Sequence, residues 1–157
     1  MKAIADIEFI LSAFLFVSTI SFITLSIIGN LPVLQEKSLA ANLQSTSYQI
    51  SELLLDKGYP TNWHLLAIDD VARIGLESDD YMLDSAKVSQ LSALCENDYN
   101  KLRAKMLDYD FMIIINGSTE ILNCEPPVVS LIRPQFVTTR HAVYNGNLVD
   151  LIVVVLG

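Results

Sequence analysis

The 157-residue chain has few of the residues that most often build metal and catalytic centres. It holds two cysteines and two histidines, and no CxxC or HExxH pair occurs. GxSxG and glycine-rich phosphate-binding loops are also missing from the sequence. We therefore expect no structural metal, no cofactor and no enzymatic activity.

Basic residues are scarce. Lysine and arginine number 10 against 18 aspartates and glutamates, which gives a net charge of −8. A field of this sign repels phosphate backbones, so we expect no nucleic-acid partner. The acids are densest from Asp69 to Asp84, where six acids accompany Arg73 alone. We interpret this stretch as a solvated loop face, because the DxDxDG spacing of a calcium loop is absent.

One long apolar run stands near the start of the chain. Residues from Phe9 to Ile28 include no charged side chain. Twenty helical residues span roughly 30 Å, the thickness of the hydrocarbon layer of a bilayer. The run is longer than the core of an ordinary secretory signal, and no AxA cleavage site follows it. The sequence therefore predicts a single N-terminal membrane anchor.

The helical pattern resumes after this run. Apolar residues recur at helical spacing in QEKSLAANLQSTSYQISELLLDKGYP, and Gly58 and Pro60 mark its end. Anchor and amphipathic stretch together predict one helix of about fifty residues, with a weak point near Pro32. The second half of this helix is expected to pack on a globular head.

The remaining sequence predicts an α+β head, with helices first and then an antiparallel sheet of about four strands. Asp84 is a suitable N-cap for the helix SAKVSQLSALC, and NDYNKLRAKML predicts another helix. Two later segments predict β-hairpins, each with an asparagine–glycine dipeptide of the kind that a type I′ turn requires. In the second hairpin this register places His141 opposite Asp150.

The two cysteines, Cys95 and Cys124, leave two alternatives open. In an exported domain they can form one disulfide, which closes a loop of about 30 residues. Cys95 also fits a helical pattern as a small buried apolar side chain.

Asn116-Gly117-Ser118 is an acceptor triplet for N-glycosylation at an expected hairpin tip. The turn by itself also explains the asparagine and the glycine. Both interpretations stand at this point.

Two acids, Asp6 and Glu8, lie at the entrance of the apolar run, which a plain anchor does not need. If the chain is cut after Ala3, the new N-terminus at Ile4 carries an ammonium group four residues before Glu8. A carboxylate in an apolar bundle is costly unless it is paired. The amine of a neighbouring subunit is an available partner.

The segment KAIADIEFILSAFLFVSTISFITL resembles the class III signal sequence of type IV pilins and pilin-like proteins, in particular the archaeal kind. Lys2, Ala3, Glu8 and the run Phe9–Ile28 occupy the positions of that motif. Glycine is the commonest family residue before the cut, where this chain has Ala3, and only Lys2 precedes it as a basic residue. The match is specific over about 28 residues and architectural over the rest.

The resemblance implies a leader at residues 1–3, a hydrophobic helix at 4–35 and an extracellular α+β head at 36–157. A membrane prepilin-type peptidase would cleave between Ala3 and Ile4, and Glu8 would pair with an N-terminal amine during assembly. The partners would be copies of the chain or related pilins, first in the cell membrane and then in a surface filament. Two alternatives are a minor pilin-like component of a secretion or assembly machine and a single-pass anchored extracellular binding module.

Overall fold

The computed structural model describes residues 2–79, 82–127 and 133–157, with the backbone alone at 2–6 and 30–34. A long N-terminal apolar helix is followed by a small α+β head, as predicted. By compactness the chain divides into two units, Met1–Ser38 and Leu39–Gly157.

Helix α1 extends over Lys2–Leu54, which is 53 residues. Its backbone stays helical through Gly29 and Pro32. The prediction of one helix of about fifty residues is therefore confirmed. Proline removes a single amide donor from the ladder, and the helix-forming residues on both sides continue the pattern.

Within the second unit, the last turns of α1 bury one stripe of side chains. Leu43, Ser47, Ile50 and Leu54 are each at most 1% exposed, at the i, i+4, i+7, i+11 spacing of a single helix face. The Ser47 hydroxyl donates to Thr138 Oγ1 at 2.7 Å, which places the stripe against the sheet. Leu39 and Tyr48 also belong to the predicted apolar pattern, but both are exposed.

A loop with two short 3₁₀ turns, Trp63–Leu65 and Ile68–Asp70, follows α1. Trp63 is 1% exposed, and its Nε1–H donates to the Gly75 carbonyl oxygen at 2.7 Å, so it anchors the loop. Lys87 is 4% exposed, and its ammonium donates to two carbonyl oxygens, those of Lys57 at 2.8 Å and Glu77 at 2.7 Å. These bonds hold the two ends of the loop together.

Two helices precede the long strands, as predicted. Helix α2 covers Ser85–Asn97, and helix α3 covers Tyr99–Lys105. The Asp84 carboxylate accepts from the backbone amides of Ala86 and Lys87, which makes it the N-cap of α2.

The sheet has six strands in the order β1-β2-β5-β6-β3-β4. Their bounds are Glu77–Asp79 (β1), Met82–Leu83 (β2), Asp110–Asn116 (β3), Glu120–Cys124 (β4), Gln135–Tyr144 (β5) and Asn147–Leu156 (β6). The four predicted strands, β3 to β6, are antiparallel to one another. The sheet differs from the predicted antiparallel sheet of about four strands, because β1 and β2 extend it and β2 pairs parallel to β5. The sheet is therefore mixed.

The two hairpins differ at their turns. Asn145 and Gly146 have φ angles of 50° and 79°, as a type I′ turn requires, and Tyr144 pairs with Asn147. The type I′ prediction at Asn116-Gly117 is wrong, because neither residue has a positive φ. There, Asn116 ends β3 and pairs with Glu120, and residues 117–119 form the connection.

The two faces of the sheet have different surroundings. Thr138, Val153 and Ile113 occupy one cross-strand row on the face that carries α1, and each is at most 5% exposed. Since side chains alternate along a strand, Asn116, Asp150 and His141 form a row on the opposite face.

Candidate functional site

The candidate assembly site is the apolar segment Ile7–Gly29 of α1. It comprises 23 residues with a mean hydropathy of 2.2, and none of its most apolar window is buried. Phe9, Phe16 and Phe22 are 75%, 66% and 75% exposed. By length and composition this segment can cross a membrane, a property that a signal sequence shares.

Two threonine hydroxyls of this segment donate hydrogen bonds to the backbone of the helix itself. Thr19 Oγ1 donates to the Leu15 carbonyl oxygen at 2.7 Å, and Thr24 Oγ1 donates to the Ile20 carbonyl oxygen at 2.8 Å. A hydroxyl bonded in this way does not need water or a partner helix. These two positions are therefore compatible with lipid and with a dry helix bundle alike.

Small polar residues share the face of Glu8. At 3.6 residues per turn, Ser12, Thr19 and Ser26 lie within about 40° of Glu8 around the helix axis. Thr24 lies about 160° away, on nearly the opposite face.

The predicted processing and pairing residues are near one another in the chain. Ala3 and Ile4 lie in the helical backbone of α1, and their side chains fall outside the described ones. Glu8 is exposed, and within the part of the chain that the structure describes it has no ion pair. Ile4 and Glu8 are one helical turn apart, on the same side of α1.

A disulfide joins the two cysteines of the chain. Cys95 lies on α2 and Cys124 on β4, with their Cα atoms 5.4 Å apart. The bond links the helical layer to the edge strand of the sheet.

The described acids between Asp69 and Asp84 interact with several different partners and do not converge on one site. Asp79 pairs with Lys57 at 2.9 Å, and the hydrogen bond from Lys57, together with the Lys57 charge, lowers the pKa of the Asp79 carboxyl. Asp84 caps α2, and Asp69 lies 3.9 Å from Lys101. Among the described residues, no group of three or more His, Cys, Asp or Glu side chains is placed to hold a metal ion.

The two histidines lie on different elements. His141 Nδ1 is 2.8 Å from Asp150 Oδ1, in the cross-strand register that the sequence predicts. Both side chains are substantially exposed, at 72% and 49%. His64 belongs to the loop after α1, where its Nδ1 is buried without a hydrogen-bond partner in the described structure.

A cleft of about 780 Å³ within the head was not predicted from the sequence. Arg140 lines it, donates to Glu52, and lies with its guanidinium carbon 5.6 Å from the centre of the Tyr48 ring. The signal in the sequence is the position of Tyr48, an aromatic residue that falls outside the helical spacing of Leu43, Ile50 and Leu54. The lining residues are Ser45, Tyr48, Gln49, Glu52, Leu53, Leu55, Asp56, Glu77, Leu107 and Arg140.

Comparisons with protein-family models, with curated proteins and with solved structures find no match to this chain. The architecture itself, a long N-terminal apolar helix before a small α+β head, is consistent with a pilin-like fold.

Proposed function

We propose that this protein is a structural subunit of a type IV pilus-like surface filament, inserted in the membrane as a precursor and assembled through α1. The observation that carries the proposal is the exposed apolar segment Ile7–Gly29, on a helix that continues without a break to Leu54. The last turns of this helix belong to the core of the head.

The segment suits two environments in turn. From Phe9 to Ile28 the helix carries no charged side chain, and such a helix is stable in lipid and equally stable among identical helices. The internal hydrogen bonds of Thr19 and Thr24 remain intact in both places. The same surface can therefore insert as a monomer and later pack in a filament core.

Glu8 needs a positively charged partner in the assembled filament. Cleavage after Ala3 by a prepilin-type peptidase would free the Ile4 amine. In a filament core the Glu8 carboxylate would be withdrawn from water and would need a positive partner. The freed amine of a neighbouring subunit supplies that charge.

Mass spectrometry of the protein isolated from its membrane or filaments tests the processing step. We expect a polypeptide that begins at Ile4. Material that keeps its first three residues and stays a solitary membrane-bound monomer would contradict the proposal.

Substitution of Glu8 tests the pairing. Glu8→Ala should lower filament yield by about tenfold or more. The substitution leaves the N-terminal ammonium of the neighbouring subunit unpaired, and a buried unpaired charge destabilises by several kcal/mol. Glu36→Ala is the matched control, because it removes an exposed acid from the same helix outside the apolar segment. Equal filament yields from the two variants would refute the proposed pairing.

The face of α1 that carries Glu8 can be tested with a matched pair of threonines. Thr19 and Thr24 make the same bond to the carbonyl four residues earlier, but Thr19 shares the face of Glu8. Thr19→Leu should weaken assembly more than Thr24→Leu, because a bulkier side chain prevents close helix contact. Membrane insertion, measured by alkaline carbonate extraction, should be the same for both.

The cleft along α1 favours a second candidate, a single-pass anchored extracellular binding module. Its volume of about 780 Å³ lies in the range of small-molecule sites. An uncleaved, monomeric, membrane-bound protein would favour this function. A minor pilin-like component of an assembly machine would instead be cleaved and present at low copy number in filaments built mainly from another subunit.

A further inference from the structure

The chain has two asparagine–glycine dipeptides, and the structure uses them differently. Asn145-Gly146 forms the two central residues of a type I′ turn, with φ angles of 50° and 79°. Asn116 and Gly117 have no positive φ, and Asn116 is the last residue of β3. The type I′ turn therefore explains Asn145, whereas no turn conformation explains Asn116.

The space around Gly117 explains the glycine. A Cβ atom there would lie 3.2 Å from Val149 Cγ1, which is tighter than an ordinary contact. This packing requirement applies to the middle residue of Asn116-Gly117-Ser118. It does not account for the asparagine before it or the serine after it.

Asn116 and Ser118 are both accessible. Both residues are exposed, and neither side chain makes a hydrogen bond to another described residue. Asn116 lies on the sheet face opposite to the one that α1 covers. A large substituent on its amide therefore points away from the packed core.

We propose that Asn116 is an N-glycosylation site of the exported head. The Asn116 Nδ2 atom would attack the anomeric carbon of a polyprenyl-phosphate- or polyprenyl-diphosphate-linked oligosaccharide. The bond from that carbon to nitrogen forms as its bond to the phosphate oxygen breaks. A membrane oligosaccharyltransferase would catalyse this step, and a basic group of that enzyme would accept the amide proton. The polyprenyl phosphate or polyprenyl diphosphate is the leaving group.

Asn116-Gly117-Ser118 is the only N-x-S/T triplet in the sequence. A single glycan at this position would be bulky and solubilising. It would share its sheet face with Ile114 and Ile152, which pair with each other in the same ladder. The sugar would then lie over a partly apolar surface.

The proposal rests on export of the head and not on filament assembly. The disulfide between Cys95 and Cys124 depends on the same export, so it reports that condition independently. Trapping free thiols at cell lysis shows, in the same sample, whether the head has reached an oxidising compartment.

Intact-mass spectrometry of the full chain, isolated from the cells that produce it, tests the site. We expect a mass above that of the processed polypeptide by one oligosaccharide, with the glycan on the peptide that contains Asn116. The added mass should be lost completely in Asn116→Gln and in Ser118→Ala, because the acceptor needs both the amide and the hydroxyl two residues later.

Thr119→Ala is the matched control. It removes a neighbouring exposed hydroxyl outside the triplet, so the added mass should be unchanged. A bare polypeptide mass in the wild-type protein would overturn the site, whatever the state of the cysteines. If the disulfide has formed, the head is exported and only the glycosylation site is refuted. If the thiols are free, export of the head is refuted as well. A glycan that persists in Asn116→Gln would also overturn the assignment.

Discussion

At the scale of single residues, Tyr99 completes the edge of the sheet where β4 has ended. Its hydroxyl donates to the Phe111 carbonyl oxygen at 2.8 Å and accepts from the Phe111 amide at 2.9 Å. Strand β4 pairs with β3 only from Ile113 onward, so a single side chain replaces the missing strand partner. Both backbone groups of Phe111 are satisfied in this way.

Tyr99→Phe should therefore destabilise the head. The change leaves a buried amide and a buried carbonyl without partners, at a cost of about 1–3 kcal/mol. Denaturant unfolding followed by Trp63 fluorescence measures the effect. Tyr109→Phe, at a 36% exposed position, is the control and should change the free energy of unfolding by less than about 0.5 kcal/mol.

The same hydroxyl predicts a loss of stability at alkaline pH. Burial raises the pKa of Tyr99 above its ordinary value of 10.0. Above about pH 10 the unfolded chain releases this proton while the folded chain keeps it, so the free energy of unfolding falls as pH rises. The stability advantage of wild type over Tyr99→Phe should thus shrink over the interval from about pH 10 to about pH 12. An advantage that stays constant over this interval would contradict the assignment.

The two Asn-Gly dipeptides show which turns could be predicted from the sequence and which could not. The hairpin register, with His141 opposite Asp150, follows from the two-residue turn at Asn145-Gly146 and is confirmed. The identical dipeptide at Asn116 does not form that turn, because Asn116 pairs with Glu120 and ends its strand. The conformation of a turn depends on where its two strands stop pairing, and a dipeptide alone does not determine that position.

At the scale of elements, the disulfide fastens α2 to the edge strand β4. Its cysteines are 29 residues apart, and a loop of that length restricts the unfolded chain by about 3–4 kcal/mol. Cys95→Ser with Cys124→Ser should lower the free energy of unfolding by up to that amount. The fold should survive, because the core includes Leu91, Leu94 and Leu122 around the bond. Denaturant unfolding of both proteins without reductant measures the difference, and equal midpoints would contradict it.

The long elements were predictable, and the short ones were not. Helix α1 was predictable from a twenty-residue uncharged apolar run and the helical pattern after it. Strands β5 and β6 were predictable from long segments rich in β-branched residues on either side of Asn145-Gly146. Strands β1 and β2 have three and two residues, which is too short for any period to show. They form because β5 offers an edge to which β2 adds in parallel, a tertiary effect. The cleft along α1 is likewise made by elements that are distant in sequence.

At the scale of the whole molecule, the head is expected to fold without the apolar segment. Leu43 is the first buried apolar residue among the described side chains, and the exposed apolar side chains from Ile7 to Ile28 all precede the second unit. A chain of residues 39–157 should be monomeric in the absence of detergent. It should unfold cooperatively, with Trp63 giving a native near-ultraviolet dichroism signal. Aggregation, or loss of that signal, would show that the head depends on the first unit.

The position of β6 has a consequence for how the head is made in the cell. Its segment LIVVVL is β-branched, uncharged and free of proline and glycine, the composition that stacks into amyloid-like sheets when left bare. In the native sheet, β5 and β3 flank it on both sides. Both neighbours precede β6 in the chain, so β6 can pair with them as soon as it is made. Slow pairing leaves the segment exposed to other chains, so conditions that delay folding of the head should favour its aggregation.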